Sequence, residues 1–208
     1  MGTENSAKDA ASEARMPRTE RGKRTRRKLL DAAQAEFGER GFADTSISGI
    51  TRRADVALGS FYTYFESKES IFRDLVRDMS EQVRVEVSKG VDPEAQSFGI
   101  EQSALAAFLR FVKANKAIYR IIDEAEFVDP ESYRLHYEST AARILGRLKA
   151  GSESGEFRDD LEEAHAWAVM GMNVFLGLRY AVWDEDGEDP DRVSAIARSL
   201  LEHGLAKR

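Results

Sequence analysis

Hydrophobic residues recur every three or four positions along most of this chain, and this spacing is the feature that most restricts its fold. Leu29, Leu30, Ala33 and Phe37 form the first such stripe, which is the pattern of an amphipathic helix with one buried face. No convincing segment alternates polar and apolar residues as a half-buried strand does. The sequence therefore predicts an all-α protein with about nine helices.

Glycine, proline and capping residues set the predicted bounds of these helices. Four helices are predicted at residues 25–40, 46–54, 58–64 and 68–88. After a break at residues 90–99, further helices are predicted at 100–114, 116–126, 130–150 and 161–183, with a last one following Pro190.

Charge is divided unevenly along the chain. The net charge is −6, yet residues 15–68 carry +5 and residues 69–208 carry −9. A basic segment joined to an acidic remainder is expected when only one part of a protein meets phosphates. We therefore predict that the basic segment is the part that meets phosphates. Residues 1–21 are polar and lack apolar periodicity, which predicts a disordered basic arm.

Several function classes lack the residues they need. The chain has no cysteine, and its three histidines are far apart in sequence without metal-ligand spacing. There is no glycine-rich phosphate loop, no serine elbow and no apolar run of the roughly 20 residues that cross a bilayer. The sequence thus predicts a cytoplasmic protein that is not an enzyme, with no metal and no cofactor.

Residues 45–65 read as two short helices joined by a tight turn. These helices need the first helix to complete a core, which Phe37, Ile50, Phe61 and Phe65 would supply. The third helix then has small residues, hydroxyl groups and no acid on its outer face. Such a face can approach the major groove of DNA closely.

The same stretch resembles the TetR/AcrR family of repressors. The most specific match is the run of residues 59–65, followed by Ser67, Lys68, Glu69 and Phe72. Close similarity covers about residues 25–75, and the later helical pattern is compatible with the family. The resemblance implies an N-terminal helix-turn-helix DNA-binding domain at residues 22–67 and a C-terminal helical domain for ligand binding and dimerisation at residues 68–208.

The resemblance also implies which residues contact DNA. Tyr62, Tyr64 and Lys68 would contact phosphates, while Ser60 and Thr63 would meet base edges. Gly59 would permit close approach beside Leu58. Further contacts are expected from residues at the start of the second helix and in the basic cluster, namely Thr45, Ser46, Ser48, Lys23, Arg24 and Arg26.

Two residues depart from the family pattern at the turn. Asp55 stands where glycine is usual, and aspartate tolerates left-handed backbone better than most residues. Ala57 stands where serine or threonine is usual, so the third helix should have a weaker N-cap. These changes affect base readout more than fold.

The acidic domain would hold the effector and the partner subunit. The predicted dimer interface lies on the last two helices and comprises Gly171, Val174, Leu178, Ala181, Val193, Ile196 and Leu200. The predicted pocket draws on aromatic and polar residues of the middle helices, namely Phe108, Phe111, Tyr119, Phe127, Tyr133, Tyr137, Trp167, Phe175 and Arg179.

The function so implied is a homodimeric repressor on a pseudo-palindromic operator, released by a small, largely apolar effector. An acyl or aryl coenzyme A thioester is one candidate effector, although the −9 charge of residues 69–208 is an objection to it. Two alternatives stay open: an architectural or activator DNA-binding protein without an effector, and a module whose helical body holds a protein partner. A ligand-sized apolar cavity would favour the repressor, and a filled body would favour the others.

Overall fold

The computed structural model of the protein describes residues 16–92, 94–184 and 187–205. Nine α-helices account for most of these residues, and no strand occurs among them, so the prediction of an all-α fold is confirmed. The helices are α1 (Glu20–Asp44), α2 (Ile47–Arg53), α3 (Leu58–Tyr64), α4 (Lys68–Gly90), α5 (Ser97–Ala114), α6 (Ala117–Val128), α7 (Pro130–Glu153), α8 (Glu163–Gly177) and α9 (Pro190–Leu205); a π-helical turn, Leu178–Val182, extends α8.

The first helix begins earlier than the predicted residue 25. The Thr19 hydroxyl accepts a hydrogen bond from the Gly22 N–H at 3.1 Å, and Glu20 lies in the first turn, where a carboxylate complements the helix dipole. The predicted disordered arm was therefore too long at its C-terminal end. Its residues 1–15 lie outside the described part of the chain.

Near its end, α1 changes direction at Gly41. This residue has φ 81° and ψ 170°, a backbone region that is open essentially to glycine alone. The helix predicted at residues 25–40 ends just before this glycine, whereas in the structure a further short turn continues to Asp44.

The described residues form two compact units. Unit 1 comprises the chain up to Asp78 together with Ala117–Tyr133, and unit 2 comprises Met79–Lys116 and the chain from Arg134 onward. Unit 1 therefore includes α6, which the sequence placed in the C-terminal domain. Glu124 on α6 accepts the Phe42 N–H at 2.7 Å, and Arg120 donates to the carbonyl oxygens of Gly38 and Glu39.

The core of unit 1 is rich in aromatic rings. Phe37, Phe61, Phe65 and Phe72 are almost completely buried, and Phe37 and Phe72 pack edge to face at 5.1 Å. Because these rings come from α1, α3, α4 and the α3–α4 connection, their burial fixes α3 against the rest of the unit.

Unit 2 has its own core. Buried residues of α7, α8 and the end of α9 meet the loop residues Phe157 and Leu161 in one cluster, which includes Ala141, Ile144, Leu148, Ala166, Val169, Met170 and Leu205. Among the described residues, no helix is both long enough and apolar enough to span a bilayer.

Candidate nucleic-acid interface

The turn between α2 and α3 has the geometry of a tight helix-turn-helix corner. Asp55 has φ 53°, which confirms that it takes the left-handed conformation expected at this position. The Val56 N–H then bonds back to the Thr51 carbonyl oxygen at 3.0 Å. No side chain caps α3 at Ala57, as the replacement of serine or threonine implied.

Helix α3 has one buried and one exposed face. Phe61 points into the core with the following Phe65, whereas Leu58, Tyr62 and Thr63 are exposed. A Cβ added to Gly59 would meet no atom of the described residues within 4 Å. The outer face is therefore apolar and hydroxyl-bearing, with space for another molecule beside Gly59.

Two predicted contact residues on α3 are less accessible. Ser60 and Tyr64 are both half-buried. The Tyr64 hydroxyl oxygen lies 3.6 Å from the position that a Cβ on Gly22 would occupy, and Gly22 is itself buried. Tyr64 thus packs against the start of α1.

Three residues at the start of α2 were predicted to contact DNA, and the structure places them differently. Thr45 is only 3% exposed, and its hydroxyl lies within hydrogen-bond distance of the carbonyl oxygens of Glu36 and Gly41. Its prediction as a DNA contact was therefore wrong, since the hydroxyl closes the end of α1. Ser46 caps α2 by accepting the Gly49 N–H at 3.0 Å, and both Ser46 and Ser48 are exposed.

Lys68 is occupied within the protein. Its Nζ donates to the carbonyl oxygens of Phe42 at 2.7 Å and Thr45 at 2.9 Å, and it lies 4.3 Å from the centre of the Phe42 ring. A cation at the end of α1 satisfies carbonyl groups that lack helical partners. The structure therefore contradicts the assignment of Lys68 as a phosphate contact.

The basic residues at the start of α1 differ in the same respect: one is occupied within the protein and two are exposed. Arg26 forms an ion pair of 2.8 Å with Asp74 and lies over the Phe65 ring, so it joins α1 to α4 instead of contacting DNA as predicted. Lys23 is exposed and, among the described residues, forms an ion pair with Glu20 alone, while Arg24 is exposed.

A buried carboxylate fixes α2 on α1. Glu36 is 3% exposed and meets Arg53 Nε at 2.8 Å, while Arg53 also binds Glu39. These hydrogen bonds from Arg53 lower the pKa of Glu39. The arrangement leaves the neighbouring Arg52 exposed at the end of α2, a surface cation that the sequence did not single out.

Comparison with known proteins identifies this architecture. The family model described as bacterial regulatory proteins, tetR family, matches residues 29–75. The HTH-type transcriptional repressor KstR2 of Rhodococcus jostii is 30% identical over 195 residues, covering 89% of this chain and 92% of that protein. The chain belongs to the TetR family.

Other TetR-family proteins match over nearly the same length. The HTH-type transcriptional regulator YdgC of Bacillus subtilis is 29% identical, with 89% of this chain and 94% of that protein covered. The structure of FadR from Bacillus subtilis in complex with stearoyl-CoA superposes with a TM-score of 0.74 at 18% identity, covering 85% of this chain and 97% of that one. The last comparison establishes a shared fold.

In this TetR-family chain, the predicted pocket residues are divided between the two units. Tyr119, Phe127 and Tyr133 lie in unit 1. Phe127 is 84% exposed, so its side chain does not line a cavity. The other six lie in unit 2. Phe108, Phe111 and Tyr137 are half-buried there, whereas Trp167, Phe175 and Arg179 are exposed.

The predicted dimer residues also differ in accessibility. Ala181 and Val193 are buried in their own subunit, so their assignment to the interface was wrong. Gly171, Val174 and Leu178 are half-buried, while Ile196 and Leu200 are exposed. Phe175 and Trp183 are two further large apolar side chains that are exposed in the same part of the chain.

Proposed function

We propose that the protein is a homodimeric, ligand-responsive repressor whose α3 enters the major groove of a pseudo-palindromic operator. The exposed face of α3 carries this proposal, because Tyr62 and Thr63 offer hydroxyl groups and Gly59 leaves room for the DNA. In a twofold dimer, two such helices would read half-sites one helical turn apart, roughly 34–36 Å.

Surface cations in unit 1 support binding to phosphates. Arg24, Lys28 and Arg52 are exposed and form no ion pair with any described residue. Neutralised phosphates release counterions, so each cation in contact with DNA adds about one unit to the slope of log affinity against log salt concentration.

A small, largely apolar effector is the second part of the proposal. Unit 2 contains an open groove of about 530 Å³ between α4 and α5, within the size range of ligand sites. Ala107 and Phe111 line it together with polar residues. The FadR structure with stearoyl-CoA makes a long-chain acyl coenzyme A thioester a reasonable effector class.

Operator binding tests the DNA part of the proposal. A binding site is selected from random duplex DNA, and affinity for it is measured across a range of salt concentrations. Thr63→Ala is expected to weaken binding to the selected site by about fivefold or more, because a contact to a base edge is worth about 1–3 kcal/mol. Arg24→Gln should lower the salt slope by about one.

Arg134→Gln is the matched control, since Arg134 is an exposed arginine of α7 in unit 2. It should leave both affinity and salt slope unchanged. Failure to select any site, or equal effects of Arg24→Gln and Arg134→Gln, would contradict the proposed surface. Acyl coenzyme A thioesters of increasing chain length are then added to the operator complex, where release is expected.

A further inference from the structure

In unit 2, helix α7 has a polar face next to the apolar face that packs in the core. His136, Thr140, Arg143 and Arg147 are spaced four, three and four positions apart, so they lie in one row along the helix. His136 Nδ1 lies 2.7 Å from the Ser80 hydroxyl oxygen on α4. The row therefore runs along the seam between α4 and α7.

Three arginines surround this seam, and two of them have carboxylate partners. Arg147 binds the buried Glu101 with contacts of 2.5 and 3.0 Å, and Arg84 on α4 binds Glu81. Arg143 instead donates to the Thr140 hydroxyl oxygen at 2.9 Å and forms no ion pair with a described residue. The three arginines thus have two carboxylates between them.

The surroundings of Arg143 disfavour its charge. Partial burial lowers the pKa of this guanidinium, and the charges of Arg84 and Arg147 lower it further, while Glu81 opposes the change. Burial, with a smaller effect of Arg143, lowers the pKa of His136 to about 4, so the imidazole is neutral near pH 7. The seam therefore has three arginines and two carboxylates, and Glu81 only partly offsets the charge of Arg143.

Most donors of Arg143 are also unused by the protein. A guanidinium has five N–H donors in a planar fork that suits carboxylate and phosphate oxygens. The described residues supply one acceptor, the Thr140 hydroxyl. The other nitrogens of Arg143 are open to solvent, because among the described residues Arg158 Nε is the one buried side-chain nitrogen or oxygen without a hydrogen-bond partner. An incoming oxyanion therefore has access to them.

We propose that Arg143 binds an oxyanion at the seam between α4 and α7, and that this oxyanion is the phosphate or carboxylate group of the effector. This inference rests on the proposed function, which it deepens by giving the effector a negative charge. The anionic group would lie on the α7 side of α4, whereas the groove proposed for the apolar part lies on the α5 side of the same helix. Arg84 and Arg147 would add to the positive potential at the site without leaving their carboxylates. The objection that residues 69–208 carry a charge of −9 is met by this local excess of arginine.

Calorimetric titration of the full-length protein tests the proposal with three probes: decanoyl-coenzyme A, coenzyme A and decanoate. The test variant is Arg143→Gln, and the control is Arg134→Gln on the same helix, where Arg134 is exposed and paired with Glu138. Arg143→Gln is expected to weaken binding of at least one probe by tenfold or more, because charge-assisted hydrogen bonds are among the strong ones. Arg134→Gln should stay within twofold of the wild type.

The probe that responds identifies the source of the oxyanion. Loss confined to the two coenzyme A probes assigns a phosphate, and loss confined to decanoate assigns a carboxylate. The proposal is overturned if the wild type binds none of the three probes, or if Arg143→Gln binds all of them within twofold of the wild type.

A stability measurement separates ligand binding from a structural role. Because Arg143 is repelled by its neighbours, Arg143→Gln should melt at the same temperature as the wild type or higher. A melting temperature several degrees lower would show that Arg143 serves the fold and would also overturn the proposal. Without ligand, Arg143→Gln should bind the operator with the affinity of the wild type. If the wild type binds no DNA, the proposed function is wrong, but the calorimetric result still decides whether Arg143 binds an oxyanion.

Discussion

Replacing Lys68 with methionine is expected to destabilise unit 1. Methionine keeps most of the aliphatic stem but cannot donate to the carbonyl oxygens of Phe42 and Thr45, which Lys68 Nζ reaches at 2.7 and 2.9 Å. Loss of hydrogen bonds from a charged donor should lower the free energy of unfolding by about 1–3 kcal/mol. Urea unfolding followed by circular dichroism measures the change.

Lys28→Met is the control for this experiment. Lys28 is exposed on α1 and forms no ion pair with a described residue, so its replacement should change stability by less than about 0.5 kcal/mol. Equal stability of the two variants would mean that the carbonyl contacts of Lys68 are unimportant and would restore Lys68 as a candidate phosphate contact.

At the scale of residues, local backbone requirements were predictable and remote partners were not. The left-handed conformation of Asp55 and the missing cap at Ala57 follow from neighbouring positions alone. By contrast, Arg26 pairs with Asp74 across 48 positions, and Lys68 reaches back 26 positions to Phe42. A sequence shows that such cations exist, but only packing shows which carboxylate or carbonyl group lies within reach.

At the scale of elements, replacing two different glycines with alanine is expected to change stability in opposite directions. Gly41→Ala should destabilise the protein by about 2 kcal/mol or more, because φ 81° and ψ 170° suit glycine alone. The new methyl group would also lie 2.5 Å from Glu124 Oε1 and 2.8 Å from Arg120 Nη2, so it would disturb the packing of α6 on α1. Thermal unfolding measures this loss.

Gly59→Ala is the companion variant. Gly59 is helical, exposed and without neighbours around the added Cβ, so alanine should stabilise α3 by up to about 1 kcal/mol. Operator affinity should nevertheless fall, because the methyl group would occupy the space proposed for DNA. A stabilised Gly59→Ala variant that binds the selected operator as well as the wild type would place Gly59 outside the contact surface.

Helix positions were largely predictable because apolar periodicity and caps are local signals. Helix packing was predictable only where rings such as Phe37, Phe61 and Phe65 had to share a core. The attachment of α6 to α1 had no such signal, because Glu124 and Arg120 look like ordinary surface charges in the sequence and act on backbone groups of residues 38–42.

At the scale of the whole molecule, the proposed dimer can be tested through Leu200. This side chain is 66% exposed on α9, and Phe175 on α8 is 71% exposed, which is unusual for large apolar residues unless they meet a partner. In a twofold interface each substitution acts in both subunits. Leu200→Glu would bury two carboxylates and should raise the dimer dissociation constant at least a hundredfold by sedimentation equilibrium.

Leu135→Glu separates this effect from a general response to added charge. Leu135 is an exposed leucine of α7 in unit 2 and belongs to neither of the two helices assigned to the interface. It should remain dimeric and bind operator as the wild type does. Leu200→Glu should lose operator affinity together with dimerisation, because one subunit can occupy only one half-site. A Leu200→Glu variant that stays dimeric at nanomolar concentration would exclude Leu200 from the interface and move the search to the surface around Leu135.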